Sequence, residues 1–171
     1  MGTKKKLLSI ITVVKNDAIN IEKTIKSIIS QKSQEVEYLL IDGKSSDTTL
    51  QKARKFSDKI DKIISSKDKG IYDAMNTGIK NSSGKYVGFC NSGDVLKKNS
   101  LKTITKFLKK DTDILFATVK RNYLGATIIK SGFDLNRLNY NFDFATSHST
   151  GFFLKKKMFD KYGMFNTKYV C

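Results

Sequence analysis

The chain has 171 residues, of which 32 are Lys or Arg and 16 are Asp or Glu, so its formal net charge is +16. With 39% apolar and 28% charged residues, its composition is that of a single globular domain and excludes a disordered or collagen-like chain. No run approaches the roughly 18 apolar residues of a membrane span. No small-residue cleavage site follows the apolar run after Lys6, so we expect a cytoplasmic protein.

Short apolar runs alternate with amphipathic stretches over residues 7–119, which predicts alternating strands and helices. Each predicted helix repeats its apolar residues at three- and four-residue spacing, as one buried face requires. In chain order, the predicted elements are a strand at Leu7–Val14, a helix after Asn20 that covers Ile21 to Ile29, a strand at Tyr38–Ile41, a helix from about Thr48 to Phe56 capped by Ser46 or Asp47, a strand at Ile60–Ser65, a helix from Ile71 to Ile79 ended by Ser82-Ser83-Gly84, a strand at Tyr86–Cys90, a helix from Leu101 to Leu108 and a strand at Ile114–Val119.

Strands that alternate with helices of this length pair in parallel through crossover connections. The pattern therefore predicts an α/β fold with a doubly wound, Rossmann-like, mostly parallel sheet flanked by helices. The pattern changes after Arg121, where we expect short strands, an aromatic loop at Asn136–Phe144 and a short amphipathic helix over residues 156–162.

Lysine supplies almost all of the positive charge. Arg occurs only at positions 54, 121 and 137, and the other 29 basic residues are Lys. Surfaces that grip nucleic-acid phosphates favour the planar, bidentate Arg side chain, so we expect solvated Lys faces rather than specific nucleic-acid binding. A net charge of +16 still attracts anionic lipid surfaces and other polyanions.

The two cysteines lie in unlike settings, Cys90 within an apolar run and Cys171 at the last position. This arrangement predicts free thiols of a reducing compartment. We expect neither a disulfide nor a metal site from them.

Acidic residues concentrate in the turns that follow the predicted strands. Three of the four turns, at residues 15–17, 42–45, 67–70 and 91–94, combine carboxylates with Gly. In a doubly wound sheet, ligands bind beyond the carboxyl ends of the strands, so these turns are the candidate site. Gly43-Lys44-Ser45 is not a phosphate-binding P-loop, because Tyr38 stands where that motif requires Gly.

Asp42 and Asp94 each have two readings when they are considered alone. An Asp after a strand more often caps the local turn than binds a ligand. The functional reading of Asp42 is an acceptor for an N–H group of a ligand, and that of Asp94 is a magnesium ligand. The residues around them decide between these readings.

Five segments, SIITVVKND, SIISQ, EYLLIDGKSSDTT, DKGIYDAMNTGIKNSSGKYVGFCNSGD and SHSTGFFLKKKMFDKYGMFNTKY, together resemble family 2 glycosyltransferases, which have a GT-A fold. The similarity is strongest over about residues 7–96 and is closest to bacterial members that build surface polysaccharide. The resemblance implies a nucleotide-sugar donor region at 1–96, with residues 97–171 as the rest of the same domain and a partial acceptor side.

The resemblance implies a role for each matching residue. Asp42 would accept the uracil N3–H of a UDP-sugar, and Asn16 would support the donor pocket. Asp68 and Lys69 would lie against the ribose and diphosphate, with Asn76 on the next helix steadying the loop.

The segment Asn91-Ser92-Gly93-Asp94 occupies the place of the family's D-x-D element. The first Asp of that element is replaced by Asn91 or by Gly93, depending on how the two are aligned. Asp94 alone therefore remains as a ligand for Mg²⁺ or Mn²⁺. His148, the only histidine, is either an ordinary polar residue or a secondary candidate on the acceptor side.

The implied chemistry is inverting transfer of a hexosyl or N-acetylhexosaminyl group to a glycan or lipid-linked acceptor. A general base must take the proton of the acceptor hydroxyl. In the family that base follows a G-x-F-x-x-x-Y segment, here Gly163 to Tyr169, so we expect it after Cys171 and expect this chain to be weakly active or inactive. The alternative is a basic, non-catalytic module that binds anionic lipid or nucleic acid. A glycosyltransferase would act in the cytoplasm, with a peripheral position at the inner membrane face as a further expectation.

Overall fold

A computed structural model describes residues 5–123, 126–130 and 149–168. Up to residue 108 the predicted alternation is confirmed, with shifts of a few residues at the ends of elements. The observed elements are β1 (Leu8–Val14), α1 (Ile21–Ile29), β2 (Val36–Asp42), α2 (Thr49–Arg54), β3 (Lys62–Ser65), α3 (Ile71–Asn81), β4 (Tyr86–Phe89) and α4 (Ser100–Leu108). No helix in these described ranges is both long and apolar enough to cross a bilayer.

The second part of the chain contributes β5 (Ile114–Phe116), β6 (Val119–Tyr123), β7 (Ala126–Lys130), a 3₁₀ turn (Ser149–Gly151), β8 (Phe152–Lys155) and α5 (Lys157–Tyr162). The prediction of one strand over Ile114–Val119 is wrong. Phe116 pairs with Phe152, the first residue of β8, so the partner strand ends there. The chain leaves the sheet, and Val119 begins a separate antiparallel hairpin of β6 and β7.

The main sheet has six strands in the order β3-β2-β1-β4-β8-β5. The first four are parallel, which confirms the mostly parallel sheet, and β8 lies antiparallel between β4 and β5. Gly88 of β4 pairs with Phe153 of β8, and a Cβ atom at position 88 would lie 2.3 Å from the Phe153 ring. Because Gly88 has no side chain, the Phe153 ring can pack directly against β4.

The core fills both faces of the sheet, because β1 and β2 are buried along their whole length. One apolar cluster joins β1 and β2 to α1, α2 and α4, through residues such as Ile25 and Leu101. The second joins the other face to α3 and α5, through Met75 and Phe159. This two-sided burial explains why β1 reads as a continuous apolar run.

The strand register brings the loops of the predicted site to one edge. Val14 pairs with Asp42, and Asp42 pairs with Ser65, so β1, β2 and β3 end side by side. Beyond β4, the Ser92 N–H donates to the carbonyl of Val13 at 3.2 Å. The residues that follow all four parallel strands therefore share this edge.

Candidate functional site

Asp42 lies at the centre of this edge and has no solvent-exposed surface. Its carboxylate accepts hydrogen bonds from the Ser45 hydroxyl at 2.5 Å, the Ser65 hydroxyl at 2.7 Å and the Ser45 backbone N–H. Asp42 therefore does cap the local turn, as the first of its two interpretations predicts. The Ser45 N–H is shared between the two carboxylate oxygens, so each oxygen already accepts two hydrogen bonds, and a ligand N–H would bond to Asp42 in place of one of these donors.

Asn16 connects the end of β1 to the loop after β2. Its backbone is left-handed, with φ of 51°, a conformation that Asn tolerates better than most residues. Its N–H donates to the Ser45 hydroxyl oxygen at 2.9 Å, and its side-chain carbonyl accepts from the Ser46 N–H at 2.8 Å. Asn16 and Asp42 therefore hold the same Ser45–Ser46 turn from two sides.

Asp17 is a residue of this edge that the sequence analysis did not single out. Its carboxylate accepts from the Ser92 hydroxyl at 2.6 Å and from the Asn20 side-chain amide at 2.8 Å. Asp17 therefore ties the loop after β1 to the loop after β4. The sequence signals for it were its place in the turn at residues 15–17 and in the quoted segment SIITVVKND.

Asp68 and Lys69 approach the same edge from the loop between β3 and α3. A Cβ atom on Gly43 would lie 2.2 Å from a carboxylate oxygen of Asp68, so only Gly at position 43 permits this approach. Asp68 also accepts from the Gly70 N–H at 3.1 Å, and Asp73 accepts from the Lys69 N–H at 3.0 Å. These bonds shape the loop while the Lys69 side chain stays exposed.

A cavity of about 530 Å³ opens between the end of β1 and this loop. Its volume is in the range of small-molecule sites. Two ammonium groups and one carboxylate line it together with apolar and backbone surface, which suits a ligand with an apolar ring and an anionic part. The lining residues are Val13, Val14, Lys15, Asp68, Lys69, Gly70, Ile71 and Ala74.

The loop after β4 presents oxygen ligands suitable for a hard cation. The half-buried Asp94 accepts a hydrogen bond from the Thr150 hydroxyl, and the Asn91 side-chain amide donates to the Ser149 hydroxyl at 2.8 Å. Within the described ranges, Asn91 Oδ1 is a buried oxygen without a hydrogen-bond partner. Mg²⁺ and Mn²⁺ prefer oxygen ligands and usually take one or two carboxylates besides phosphates and waters, so these residues fit such an ion.

The remaining titratable neighbours do not form a protein-only metal centre. The described parts of the chain hold no group of three or more His, Cys, Asp or Glu side chains suited to a metal. Burial, reinforced by the charge of Asp94, raises the pKa of the Cys90 thiol, so Cys90 stays a neutral core residue. Any cation at Asp94 would therefore share its coordination with a ligand or water.

Asn76 lies away from the cavity lining and is almost fully buried, with 7% of its surface exposed. Its side-chain amide donates to the Phe165 carbonyl at 2.9 Å, and its side-chain oxygen accepts from the Phe165 N–H at 3.0 Å. The Phe165 ring also stacks on Tyr72 and packs against Phe89. Asn76 thus holds residues 163–168 against α3.

Two predicted features, the acceptor-side candidate His148 and the aromatic loop Asn136–Phe144, lie outside the described residues. Tyr169 and Cys171 also lie outside them. The structure therefore places Asn16, Asp42, Asp68, Lys69 and Asp94 along one edge and Asn76 on the helix behind it.

A family model described as glycosyl transferase family 2 matches residues 9–163. The chain belongs to glycosyl transferase family 2. Among curated relatives, it is 33% identical over 112 residues to the Escherichia coli UDP-Glc:alpha-D-GlcNAc-diphosphoundecaprenol beta-1,3-glucosyltransferase WfgD, a match that covers 64% of this chain and 44% of that enzyme.

Solved structures with the same fold include S. aureus TarS 1-349, with a TM-score of 0.81 at 23% identity over 96% of this chain and 52% of that chain. TarS has also been solved in complex with UDP-GlcNAc. The mannosyltransferase PcManGT from Pyrobaculum calidifontis, in complex with GDP-Man and Mn²⁺, matches with a TM-score of 0.72 at 18% identity over 96% of this chain and 49% of that chain. These matches confirm the expected GT-A fold, and the chain spans about half the length of these proteins.

Proposed function

We propose that this chain forms the nucleotide-sugar-binding part of an inverting glycosyltransferase that uses a UDP-sugar. The observation that carries the proposal is the convergence of four strand-end loops on one edge, with a ligand-sized cavity between Lys15, Asp68 and Lys69. Membership of glycosyl transferase family 2 supports it. The UDP-GlcNAc complex of TarS, a protein of the same fold, supports the choice of nucleotide.

In this proposal each residue of the edge has a distinct task. Asp42 accepts the uracil N3–H in place of one of its serine donors, and Asn16 keeps the Ser45–Ser46 turn in place. Asp68 faces the ribose hydroxyls as an acceptor. The ammonium groups of Lys15 and Lys69 attract the diphosphate, whose charge they partly balance.

Asp94, with Asn91 Oδ1 as a second oxygen, would hold a divalent cation together with the diphosphate. When bound, the cation neutralises negative charge on the departing diphosphate. The family match to residues 9–163 and the oxygen ligands of this loop support the assignment.

The transfer itself is a single displacement. The acceptor oxygen bonds to the anomeric carbon as the bond to the diphosphate breaks, and a general base takes the acceptor's proton. We assign no base among the described residues, and the chain spans about half the length of its relatives, so we expect it to bind donor but to transfer sugar slowly or not at all. The acceptor would be a glycan or a lipid-linked sugar, as in the name of WfgD, at the cytoplasmic face of a membrane.

Thermal unfolding with added UDP tests this proposal. A ligand that binds only the folded state raises the unfolding temperature by mass action. We expect UDP with Mg²⁺ or Mn²⁺ to stabilise the parent chain, and we expect Asp94→Asn to lose the dependence on the metal. Asp68→Asn should weaken the UDP effect with either metal, because it removes an acceptor at the cavity wall.

Asp58→Asn is the matched control, since Asp58 is an exposed carboxylate on the turn before β3. It should respond to UDP as the parent does. A parent chain that shows no response to UDP with either metal, and binds nucleic acid with a steep salt dependence, would favour the basic-module alternative instead.

A further inference from the structure

The segment of residues 95–110, which contains α4, differs in charge from the other helical regions. It carries six Lys and no Asp or Glu, whereas α1, α3 and α5 each contain a carboxylate. Helix α2 has no acidic residue, but Asp47 and Asp58 flank it. The chain therefore concentrates unbalanced positive charge on α4 and the loop before it.

The fold exposes these charges on the outer face of α4 and the loop before it, and the same face carries one exposed aromatic ring. Leu101, Ile104 and Leu108 anchor the inner face of α4 in the core. Phe107 belongs to neither core cluster and keeps 45% of its surface exposed, with the Lys110 ammonium 5.3 Å from its ring centre. We define the α4 surface as Phe107 with the five lysines around the outer face: Lys97, Lys98, Lys102, Lys106 and Lys110.

The charges of the α4 surface are available to a partner. Across the described residues, none of its five lysines forms an ion pair with a carboxylate. The sixth lysine of the segment, Lys109, does pair, with Glu35 at 2.8 Å, and so it is left out of the surface.

We propose that the α4 surface binds an anionic lipid membrane. Lysines close to an anionic leaflet each strengthen binding by about fivefold. An exposed aromatic ring on the same helix face as several lysines suits the lipid–water interface, where the ring reaches the acyl boundary and the lysines stay among the headgroups. A nucleic-acid surface would instead favour Arg, and the described face contains none.

One end of the α4 surface lies close to the edge of the sheet that borders the cavity. Lys97 follows Asp94 by three residues, and its carbonyl accepts from the Gln31 side chain of α1 at 3.1 Å. The α4 surface therefore begins at the edge where the strand-end loops meet. The surface runs from that edge to the opposite end of the sheet, where Lys109 pairs with Glu35 just before β2, so contact along its length would bring one end, next to Asp94, close to the lipid headgroups. The inference rests on charge and exposure, and it holds whichever nucleotide the cavity binds.

Co-sedimentation with vesicles tests the proposal. Phosphatidylcholine vesicles that contain phosphatidylglycerol should bind the parent chain in a salt-sensitive manner, and pure phosphatidylcholine should not. The triple variant Lys102→Gln, Lys106→Gln and Lys110→Gln should bind roughly 100-fold more weakly. The control variant Lys23→Gln, Lys59→Gln and Lys80→Gln removes the same charge from exposed sites on other elements and should retain most of the binding.

Phe107→Ser tests the apolar part separately. It should weaken vesicle binding several-fold without changing the salt dependence, because it alters no charge. Unfolding temperatures close to that of the parent would establish that each variant is folded, since all the substituted residues are exposed. Equal losses in the two triple variants would overturn the proposal, as binding would then follow net charge alone. Binding of the parent to duplex DNA but not to the anionic vesicles would also overturn it, in favour of a nucleic-acid partner.

Discussion

The two sides of the candidate site are held together in different ways. On the proposed donor side, the loops after β1, β2 and β3 are joined by Ser, Asp and Asn side chains that are at most 30 residues apart in the chain. On the proposed acceptor side, Ser149, Thr150 and Phe165 are joined to the loop after β4 and to α3 across 56 to 89 residues. The donor side is therefore built within compact sequence motifs, whereas the acceptor side depends on where distant segments pack.

The largest effect is expected from Asp42→Ala, which breaks the donor side at its centre. The change leaves the Ser45 and Ser65 donors without their buried acceptor, and such losses cost about 1–3 kcal/mol or more where a charge is involved. We expect a loss of about 3 kcal/mol in the free energy of unfolding, measured by urea denaturation, and loss of UDP binding. Asp58→Ala, on an exposed turn, should change the stability little. A stable Asp42→Ala chain that still binds UDP would remove Asp42 from the site.

A smaller effect is expected from Asn76→Ala, which breaks the link between α3 and the acceptor side. Two partly buried hydrogen bonds to the Phe165 backbone are lost, for a cost of about 2 kcal/mol. The Phe165 amide should exchange its hydrogen faster, while UDP binding should be weakened less than in Asp42→Ala. Asn81→Ala is the control on the same helix, because Asn81 is exposed and its side chain donates to the nearby Thr77 carbonyl of α3 rather than to another element. Unchanged exchange at Phe165 would contradict the assigned role.

The smallest effect concerns the support of β8 beneath the acceptor side and depends on pH. Hydrogen bonds from Lys85 and Lys155, the latter at the end of β8, lower the pKa of Asp111 to about 2. An unfolded Asp has a pKa of about 3.9, so this carboxylate stabilises the fold above pH 4, and the contribution is lost as the pH falls towards 2.

Asp111→Asn should therefore be less stable than the parent at pH 5, and the difference between the two urea midpoints should shrink towards pH 2. Asp111 is mostly exposed, so the difference should be small at high salt. A difference that stays constant from pH 5 to pH 2 would mean that the ion pairs do not contribute.

The same difference between local and distant contacts explains which parts of the fold could be predicted from the sequence. The alternation of apolar strands and one-sided helices follows from local periodicity, so residues 8–108 were predicted with small end shifts. The positions of Asp42 and Asp94 follow from where their strands end, since parallel strands place their carboxyl ends together. The break at Ala117 could not be predicted, because the length of β5 is set by β8, which begins at residue 152.

The roles of individual side chains needed the folded chain. Asn76 was expected to steady the loop before α3, but its amide is bonded to Phe165, 89 residues further on. Asp17 is separated from Ser92 by 75 residues, and its hydrogen bond gave no periodic signal. Gly43 reads as an ordinary turn residue until the Asp68 carboxylate is seen in the space that its side chain would fill.

The sequence by itself determined the α/β architecture, the family and the edge of the sheet proposed as the ligand site, because periodicity and short motifs act over a few residues. Tertiary structure alone decided that β8 enters antiparallel between β4 and β5, that Asp42 is fully buried beneath two serines, and that one exposed face of α4 gathers lysines around Phe107. These features depend on the close packing of segments that lie far apart in the chain, and no local pattern encodes such packing.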